Sequence, residues 1–184
     1  MTSVRKLALI VAMDEEYGIG KAGKLPWNIR KDMKFFASTT KSTNDSKKRN
    51  AVIMGRKCWE SIPENRRPLP GRLNIVLSRT MQPSTSSDVI ITNDLHEVML
   101  KLTQPPYCDE IETVWNIGGK EIYELALKNR MVEKMWITRI FSKFDTDVKL
   151  DSIDWSKFSK YAEDENEVHE ENGIHFAFEK WIST

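Results

Sequence analysis

The feature that most constrains the fold is a series of short apolar runs, rich in strand-favouring residues, between segments with helical patterns. The runs are Leu7–Met13, Ala51–Gly55, Asn74–Arg79, Val89–Thr92, Thr113–Gly118 and Lys134–Ile140. Near-continuous apolar runs of this length are typical of parallel strands that are covered on both faces. We therefore predict an α/β protein of three layers, in which a mostly parallel, twisted sheet of about eight strands has helices on both faces.

Four segments have helical patterns, and their ends carry recognisable signals. Asn28 is a candidate N-cap, and Asp94 with Glu97 three residues later has the spacing of a capping box. Pro63 closes a shorter segment because proline cannot continue a helix. The helices are predicted at Asn28–Thr39, Lys57–Ile62, Asp94–Gln104 and Gly119–Asn129.

The C-terminal part has a different pattern. Asn172-Gly173, a strong short-range hairpin signal, separates Lys160–Glu171 from Ile174–Ile182. In the second segment polar and apolar residues alternate, as in a half-buried strand. We therefore expect an antiparallel C-terminal hairpin at one edge of the parallel sheet, with surface loops at residues 41–50 and 81–88.

Composition limits the possible partners and the compartment. Of 184 residues, 28 are Lys or Arg and 27 are Asp or Glu, and this balance argues against a protein that binds nucleic acid by neutralising phosphates. The two cysteines, Cys58 and Cys108, are too few for a disulfide scaffold and indicate free thiols. The apolar run Leu7–Met13 is too short to span a bilayer. We expect one domain over residues 1–184, monomeric, cytoplasmic and without a bound metal.

A glycine-rich loop follows the first predicted strand. Gly18–Gly23 matches G-x-G-x-x-G, the dinucleotide-binding pattern, but Pro26 prevents a helix from running out of the motif. A Rossmann phosphate site at such a helix end is therefore not expected. An ordinary flexible loop would explain the glycines, but not why Leu25-Pro26-Trp27 leads into an acidic helix. We interpret the segment as part of an active site.

The predicted helix after this loop carries an acid on its apolar face. Ile29, Asp32, Met33 and Phe36 share one face by their spacing. The acid could be an ordinary first-turn residue that the helix dipole favours. In the place of a core residue, it could instead accept paired hydrogen bonds from a flat N–H and NH₂ edge. Desolvation would also raise its pKa, so that it could help to deliver a proton near neutral pH.

Several motifs together resemble those of dihydrofolate reductases. They are the loop Gly18–Trp27 with Asp32 five residues later, Val52–Lys57, Trp59–Pro63, Pro68–Arg72 and Trp115–Gly119. The resemblance covers nearly the whole chain, and the number and order of the motifs make it specific. It implies reduction of dihydrofolate to tetrahydrofolate with NADPH in one-carbon metabolism, by an enzyme that also binds folate analogues.

The resemblance implies roles at the substrate. Asp32 matches the acid that holds the 2-amino group and a ring nitrogen of the pterin. Thr138 matches the residue whose hydroxyl supports this acid, and Trp27 matches the indole that orders a water. Arg72 matches the arginine that binds the glutamate α-carboxylate of the substrate, and a planar guanidinium suits a carboxylate. The implied catalytic residues are Leu25, Trp27, Asp32 and Thr138, and the implied substrate-binding residues are Ile10, Val11, Ala12, Asp32, Met33, Phe36, Ile62, Leu69, Arg72, Ile117, Tyr123 and Thr138.

Without the resemblance, several of these positions have simpler interpretations. The apolar side chains would be plain core, and Arg72, which follows Pro-Gly, would be a solvated turn residue. In the resemblance, Ile10 and Ile117 offer backbone carbonyls to the pterin. The loop around Gly18–Lys24 would close on the cofactor.

Two strand-to-helix junctions, Gly55–Cys58 and Gly118–Glu121, could hold cofactor phosphates, because helix N-termini offer unpaired N–H groups. Arg56 and Ser78-Arg79 would meet the 2′-phosphate that distinguishes NADPH from NADH, although strand-end arginines are also commonly solvated. The implied NADPH-binding residues are Ala12, Ile19, Gly20, Lys21, Lys24, Gly55, Arg56, Lys57, Cys58, Ser78, Arg79, Thr80, Gly118, Gly119, Lys120, Glu121 and Ile122.

Two positions depart from the family's pattern. Cys58 stands where the family usually has Thr or Ser, and since a thiol binds phosphate weakly we expect weaker cofactor binding or a compensating contact. A reactive thiol is a further possibility at this position. Asn93 stands where many members have a basic residue near the adenosine phosphate.

Two other functions stay open at this point. The first is a related reductase of the same fold that acts on a ribosylated pyrimidine in flavin synthesis, which would not need both Asp32 and Arg72. The second is a non-catalytic module that binds NADPH or folate without turnover. Comparing the two substrates and following NADPH absorbance would separate these alternatives.

Overall fold

A twisted, mostly parallel sheet organises the protein in a computed structural model, which describes residues 3–161 and 167–184. The strands of this sheet are β1 (Leu7–Met13), β3 (Arg49–Gly55), β4 (Arg72–Leu77), β5 (Val89–Thr92), β6 (Ile111–Asn116), β7 (Val132–Ile140), β9 (Phe158–Lys160), β10 (His169–Glu171) and β11 (Ile174–Ser183), while β2 (Gly18–Gly20) and β8 (Val148–Lys149) form a small second sheet. The helices are α1 (Arg30–Lys41), α2 (Arg56–Ser61), α3 (Leu95–Lys101), α4 (Tyr107–Glu110) and α5 (Lys120–Lys128), with 3-10 turns at Glu64–Arg66 and Trp155–Lys157.

The strand order is β10-β11-β7-β1-β6-β3-β4-β5, and β9 also pairs with β11. The pairs from β7 to β5 are parallel, whereas β11 pairs antiparallel with β7, β9 and β10. The predicted fold class, a mostly parallel α/β sheet with an antiparallel C-terminal edge, is therefore confirmed. No helix among the described residues is long and apolar enough to cross a membrane.

Helices cover both faces of the sheet because successive strand residues point to opposite sides. On β3, Ile53 packs into the larger core, to which α3 and α5 contribute. Its neighbours Val52 and Met54 face the other side, where Phe36 of α1 and Trp59 of α2 pack. Both faces of β3 are apolar for this reason, which explains the continuous apolar run in the sequence.

The start of α1 differs from the prediction that placed its N-cap at Asn28. The helix begins at Arg30, and Ile29 is an N-cap residue whose side chain makes no capping bond. Trp27 and Ile29 are both buried in a cluster with Ile140 and Phe176. Burying both side chains keeps the backbone extended through Ile29 (φ −122°, ψ 104°), so the helix starts later.

Other boundaries follow local signals to different degrees. The Asp94 carboxylate accepts a hydrogen bond from the Glu97 N–H at 3.0 Å, which confirms the predicted N-cap. The same helix ends at Lys101 rather than Gln104, and Tyr107–Glu110 forms a separate helical turn that was not predicted. Strand β4 begins at Arg72, two residues before the predicted start, so Arg72 lies on a strand and not in a solvated turn.

The C-terminal hairpin is confirmed at its turn. Asn172 and Gly173 both have positive φ, 53° and 77°, as the type I′ turn of a two-residue hairpin requires. The turn joins β10 to β11, with Glu171 opposite Ile174. The predicted first strand, Lys160–Glu171, is present only at its two ends, as β9 and β10. Its middle, residues 162–166, lies outside the described residues.

Asp14 fixes the chain immediately after β1. It is buried, and its Oδ1 accepts hydrogen bonds from the N–H groups of Glu16 and Gly18 at 2.9 and 2.8 Å. Its Oδ2 accepts from the Phe144 N–H at 3.1 Å. Asp14 therefore ties the base of the glycine-rich loop to the segment between β7 and β8.

Replacing Asp14 tests this junction. Asp14→Ala leaves three backbone donors without their acceptor, and we expect the free energy of unfolding to fall by about 2–4 kcal/mol. Asp14→Asn keeps one oxygen acceptor and should cost clearly less. Urea denaturation measures both, and equal losses for the two variants would contradict the role of the carboxylate.

Candidate active site

The candidate site lies at the carboxyl edge of the sheet. Because β1, β3, β4, β6 and β7 are mutually parallel, the residues that follow them meet at one edge, where open α/β sheets bind ligands. Helix α1 crosses the same edge from the loop after β1. Topology therefore brings several of the sequence-predicted residues to this edge from distant segments of the chain, whereas Leu69 and Arg72 lie at the amino end of β4.

Asp32 of α1 and Thr138 of β7 form the centre of the site. The Thr138 hydroxyl donates a hydrogen bond of 2.6 Å to Asp32 Oδ1, and Thr138 is 2 % exposed. Burial raises the pKa of Asp32, and the bond from Thr138 opposes this shift only in part. Asp32 Oδ2 makes no hydrogen bond within the described residues, so one face of the carboxylate is available to a ligand.

The apolar stripe that carries Asp32 is core only in part, since Ile29 is buried and Phe36 packs against the cluster with Val52 and Met54. Met33 is 57 % exposed, and Phe36, Ile62 and Leu69 are half-buried against the cluster that contains Val52 and Met54. Helical spacing predicts which residues share a face, but it does not distinguish a packed core from an open cleft. Phe36, Ile62 and Leu69 therefore belong to one apolar cluster, and Met33 is exposed next to Asp32 in sequence. Leu25, at the end of the loop, is also exposed at 56 %.

Trp27 supplies a buried donor. Its ring is 6 % exposed and packs edge-to-face on Phe144, with the ring centroids 5.3 Å apart. Trp27 Nε1 is buried and has no hydrogen-bond acceptor among the described residues. A buried indole N–H needs an acceptor, and this one is therefore suited to a water molecule or a ligand.

The backbone of β1 contributes to the cleft mainly at Ile10. The buried Tyr123 hydroxyl donates to the Ile10 carbonyl at 2.8 Å, which leaves one lone pair of that oxygen for a ligand. Burial, Cys58 and Asp32, in that order, hold the pKa of Tyr123 well above its ordinary value. The Val11 side chain packs into the core on the opposite face, so only its backbone can face the cleft, and Ala12 packs beside the Trp27 cluster.

Arg72 is a buried cation without an acidic partner among the described residues. It is 5 % exposed, and Nη1 donates to Thr40 Oγ1 at 2.9 Å while Nε donates to the Pro70 carbonyl at 3.0 Å. Burial lowers its pKa. A guanidinium in this state is matched by a carboxylate ligand. The orienting residue Thr40 was not predicted, because no local signal marks its contact with a residue on β4.

Two helices, α2 and α5, begin with a glycine N-cap where β3 and β6 end at this edge. Gly55 and Gly119 are the N-cap residues of α2 and α5, and neither helix has a side-chain cap. Gly119 is exposed, and a Cβ there would meet nothing within 4 Å. Gly118 has a φ of 97°, and a Cβ would come within 2.6 Å of the Tyr123 ring. The Ile122 N–H donates to the Gly119 carbonyl at 3.0 Å, whereas the N–H groups at Gly119, Lys120 and Glu121 make no hydrogen bond within the described residues and fit a cofactor phosphate.

The strand register places the residues that were predicted to bind the 2′-phosphate at the ends of neighbouring strands. Gly55 pairs with Leu77, and Leu77 with Thr92, so Arg56, Ser78 and Asn93 follow three adjacent strands. Arg79, Thr80 and Lys57 are exposed nearby in sequence.

Two of these positions already have partners within the chain. Arg56 pairs with Glu60 at 3.2 Å, and Ser78 Oγ accepts from the N–H groups of Thr80 and Met81 at 3.2 and 3.0 Å. A phosphate would therefore compete with existing contacts at Arg56 and Ser78. On α5, Lys120 lies 3.8 Å from Glu124, and Glu121 is exposed.

Cys58 is half-buried on α2, with Sγ 3.9 Å from the Ile117 carbonyl. Burial raises the pKa of the thiol to about 11. The thiolate is the reactive form, so this environment opposes the reactive thiol that the sequence left open. The contact is weak and uses at most one lone pair of the Ile117 carbonyl that was predicted to face the pterin.

The glycine-rich loop is held at its tip by acids from the β7–β8 connection. Asp147 Oδ2 accepts from the Ala22 N–H at 2.9 Å, and Lys21 lies 3.3 Å from Asp145. Gly20 lies beside Val148, and Ile19 packs against the larger core. Gly18 has no room for a side chain, because a Cβ would clash with Thr146. The sequence did not reveal Asp147 as a partner, since the contact spans 125 residues.

The fold is that of an α/β protein whose parallel sheet carries a half-buried acid, Asp32, and two helix N-termini without side-chain caps. Residues 6–183 match the family described as dihydrofolate reductase. A Caenorhabditis elegans protein named "Putative dihydrofolate reductase" is 56 % identical over 97 % of each chain, and a Drosophila melanogaster dihydrofolate reductase is 42 % identical over 92 % of this chain and 93 % of its own. The structure of Schistosoma mansoni dihydrofolate reductase is similar with a TM-score of 0.84 at 36 % identity, covering 99 % of this chain and 100 % of that one.

The chain belongs to the dihydrofolate reductase family. It is therefore an oxidoreductase, of a family that reduces dihydrofolate with a nicotinamide cofactor.

The cost of burying Asp32 predicts a pH-dependent stability. Its pKa is raised above the ordinary 3.8, so the folded protein holds this proton more tightly than the unfolded chain. The stability that the proton provides is complete below the unfolded pKa and is lost as pH rises through the raised pKa. Asp32→Asn, which never ionises, should therefore gain unfolding free energy relative to wild type as pH rises above the ordinary pKa of 3.8. Urea unfolding at a series of pH values measures the difference, and a difference that grew toward acid would contradict it.

Proposed function

We propose that this chain reduces 7,8-dihydrofolate to 5,6,7,8-tetrahydrofolate with NADPH, and that Asp32 binds the pterin and assists its protonation. The observation that carries the proposal is the half-buried Asp32 carboxylate, which Thr138 holds at 2.6 Å through Oδ1 and whose Oδ2 makes no hydrogen bond within the described residues. A solvated surface acid would have neither the raised pKa nor the oriented free oxygen.

The two ends of the cleft suit the two ends of dihydrofolate. Asp32 can accept hydrogen bonds from the 2-amino group and the adjacent ring N–H of the pterin. Met33, Phe36, Ile62 and Leu69 offer an apolar surface to the aromatic middle of the molecule. The buried guanidinium of Arg72, already oriented by Thr40, can bind the glutamate α-carboxylate. Binding at both ends fixes the substrate's orientation, which lowers the entropic barrier of the reaction.

Protonation is the step in which the chain's own groups take part. Desolvation raises the pKa of Asp32, so the group retains a proton at higher pH than a solvated acid does. The unpaired Trp27 Nε1 donor can orient a water between the acid and the pterin. We infer that Asp32 helps this water to protonate the ring nitrogen, and that the rate falls as pH rises through the pKa of Asp32.

The edge that holds Gly55 and Gly119 fits a dinucleotide cofactor. NADPH, when bound, supplies the hydride that reduces the imine carbon next to the protonated nitrogen. The open first turn of α5 and the absence of a side-chain cap on α2 leave backbone donors for its phosphates. Arg56, Ser78, Arg79 and Thr80 at the neighbouring strand ends favour NADPH over NADH, because the 2′-phosphate needs positive charge and hydroxyl donors.

The proposal also covers the cellular compartment and the oligomeric state. Two half-buried free cysteines suit a reducing compartment, and we infer a cytoplasmic monomer that supplies tetrahydrofolate to one-carbon metabolism. Folate analogues with a basic diamino ring edge would bind at Asp32, since the carboxylate offers the same paired acceptors to them.

The decisive experiment follows NADPH absorbance with dihydrofolate for wild type and Asp32→Asn. Asparagine has a similar shape but cannot carry the charge or the proton, so we expect NADPH binding to persist and kcat/KM for dihydrofolate to fall by at least about a hundredfold. Asp151→Asn, an exposed acid outside the site, is the matched control and should keep full activity. Unchanged turnover of Asp32→Asn at neutral pH would overturn the assigned role.

The same assay separates the competing functions. Turnover of a ribosylated pyrimidine in place of dihydrofolate would favour the flavin-synthesis reductase, and nucleotide binding without any turnover would favour a binding module. Replacing NADPH by NADH tests the cofactor assignment, since NADH lacks the 2′-phosphate.

Cys58 provides a separate test of the cofactor site. Its thiol is protonated, because burial raises its pKa to about 11, and it is a weak donor to phosphate. Cys58→Thr introduces a hydroxyl at the N-terminal turn of α2, and we expect the Kd of NADPH to fall severalfold while KM for dihydrofolate stays the same. Fluorescence titration with NADPH measures this, with Cys108→Ser as the control variant. Weaker NADPH binding in Cys58→Thr would contradict the placement.

A further inference from the structure

The helix that carries Asp32 is capped by a residue from the far end of the chain. Ile29, the N-cap residue of α1, provides no side-chain acceptor. Instead Glu171 of β10 accepts from the Arg30 N–H through Oε2 at 2.6 Å and from the Lys31 N–H through Oε1 at 3.1 Å. Both carboxylate oxygens are used on successive donors of the first turn. The next residue of that turn is Asp32.

The same hairpin holds α1 at two more points. Phe178 of β11 stacks on Phe35, with ring centroids 4.1 Å apart and an angle of 23° between the planes. His169 Nδ1 of β10 lies 2.6 Å from Lys31 Nζ. Since α1 is twelve residues long and its fully buried residue, Thr40, lies near the other end, these contacts act on the half of the helix that carries Asp32.

The hairpin also pairs with the strand that supplies Thr138. In the β11–β7 ladder, Phe178 lies opposite Thr138. The hairpin is therefore attached to both partners of the hydrogen bond: to Thr138 through the sheet, and to Asp32 through the helix N-terminus. A shift of the α1 first turn relative to β7 would have to break the contacts of Glu171.

We propose that Glu171 is a positioning residue for the proposed reaction, whose carboxylate fixes the first turn of α1 so that Asp32 stays on Thr138 and faces the pterin. This inference rests on the proposed function, because it assigns Asp32 to the pterin. Helix N-terminal N–H groups without acceptors fray readily, and fraying here would carry Asp32 away from Thr138 and into solvent.

The negative charge of Glu171 also acts on the helix dipole of α1. The N-terminus of a helix carries a partial positive charge that favours an ionised acid in its first turn, and the Glu171 carboxylate offsets this charge. The two backbone bonds lower the pKa of Glu171 below its ordinary 4.5, so the cap stays ionised through neutral pH. The other charged or titratable groups around it are Arg30, Lys31 and Lys34 on α1, His169 on β10 and Glu167 beside His169.

The test compares Glu171→Ala with Glu171→Gln. Losing a side-chain cap costs about 0.5–2 kcal/mol in known helices. The middle of this range corresponds to roughly a tenfold change in rate. We expect Glu171→Ala to lower kcat/KM for dihydrofolate about tenfold, chiefly through KM, with the Kd of NADPH unchanged. Glu171→Gln keeps one acceptor oxygen, so it should recover part of this loss. Glu110→Ala, an exposed acid on α4, is the matched control.

The pH profile separates positioning from a general structural role. Freed from its place, Asp32 becomes solvated and its pKa falls, so the decline of kcat/KM with rising pH should move to lower pH in Glu171→Ala. A purely structural role would lower the melting temperature but leave KM and the pH profile, measured well below that temperature, as in wild type. That result would overturn the proposal.

The two proposals fail in different ways. If wild type does not oxidise NADPH with dihydrofolate, the proposed function fails. If wild type is active and Glu171→Gln and Glu171→Ala keep its KM and its pH profile, the positioning role fails and the proposed function stands. Should Glu171→Ala not fold, the Glu171→Gln variant carries the same comparison with a smaller expected shift.

Discussion

The hydrogen bond between Asp32 and Thr138 is the interaction on which the site depends. It joins a helix to the sheet at the point where an acid enters an apolar cleft. Removing a carboxylate from water is costly unless donors replace the lost solvation, and a single hydroxyl replaces only part of it, as the raised pKa of Asp32 reflects. The remaining deficit favours a proton on Asp32, and it equally favours any ligand that brings hydrogen-bond donors to the free Oδ2.

The parallel sheet explains why so many functional groups converge on one edge. Strands that run in the same direction place the residues after Met13, Gly55, Leu77 and Asn116 side by side, and each connection returns over a face of the sheet through a helix or loop. Backbone donors and close-packed glycines accumulate there as a result. Gly118, which follows β6 at this edge, is one such glycine, because the Tyr123 ring leaves no room for a Cβ there.

Features set by local chemistry could be predicted from the sequence, and features set by distant contacts could not. The β-rich runs, the Asp94 cap and the Asn172-Gly173 turn depend on neighbours in sequence, and all were predicted. The start of α1 was wrong, because its cap is supplied by Glu171, 141 residues away. The bonds of Thr40 to Arg72 and of Asp14 to Phe144 have no sequence pattern for the same reason. Helical spacing placed Met33 on the same face as Asp32, but it reports a shared face and not what covers that face, so the exposure of Met33 had no sequence signal.

The pKa values of Asp32 and Arg72 shift in opposite directions, but for the same reason. Desolvation raises the pKa of Asp32 and lowers the pKa of Arg72, so each end disfavours its own charge in the free protein. In the proposed function, a ligand with a flat N–H and NH₂ edge at one end and a carboxylate at the other would serve both groups at once, whereas a ligand with only one of these features would leave the other group unrelieved. Since such a ligand would bind the folded chain alone, its binding would add directly to stability. Selection for the whole substrate would then follow from leaving the half-buried Asp32 and the buried Arg72 incompletely paired, at the expense of the stability of the empty protein.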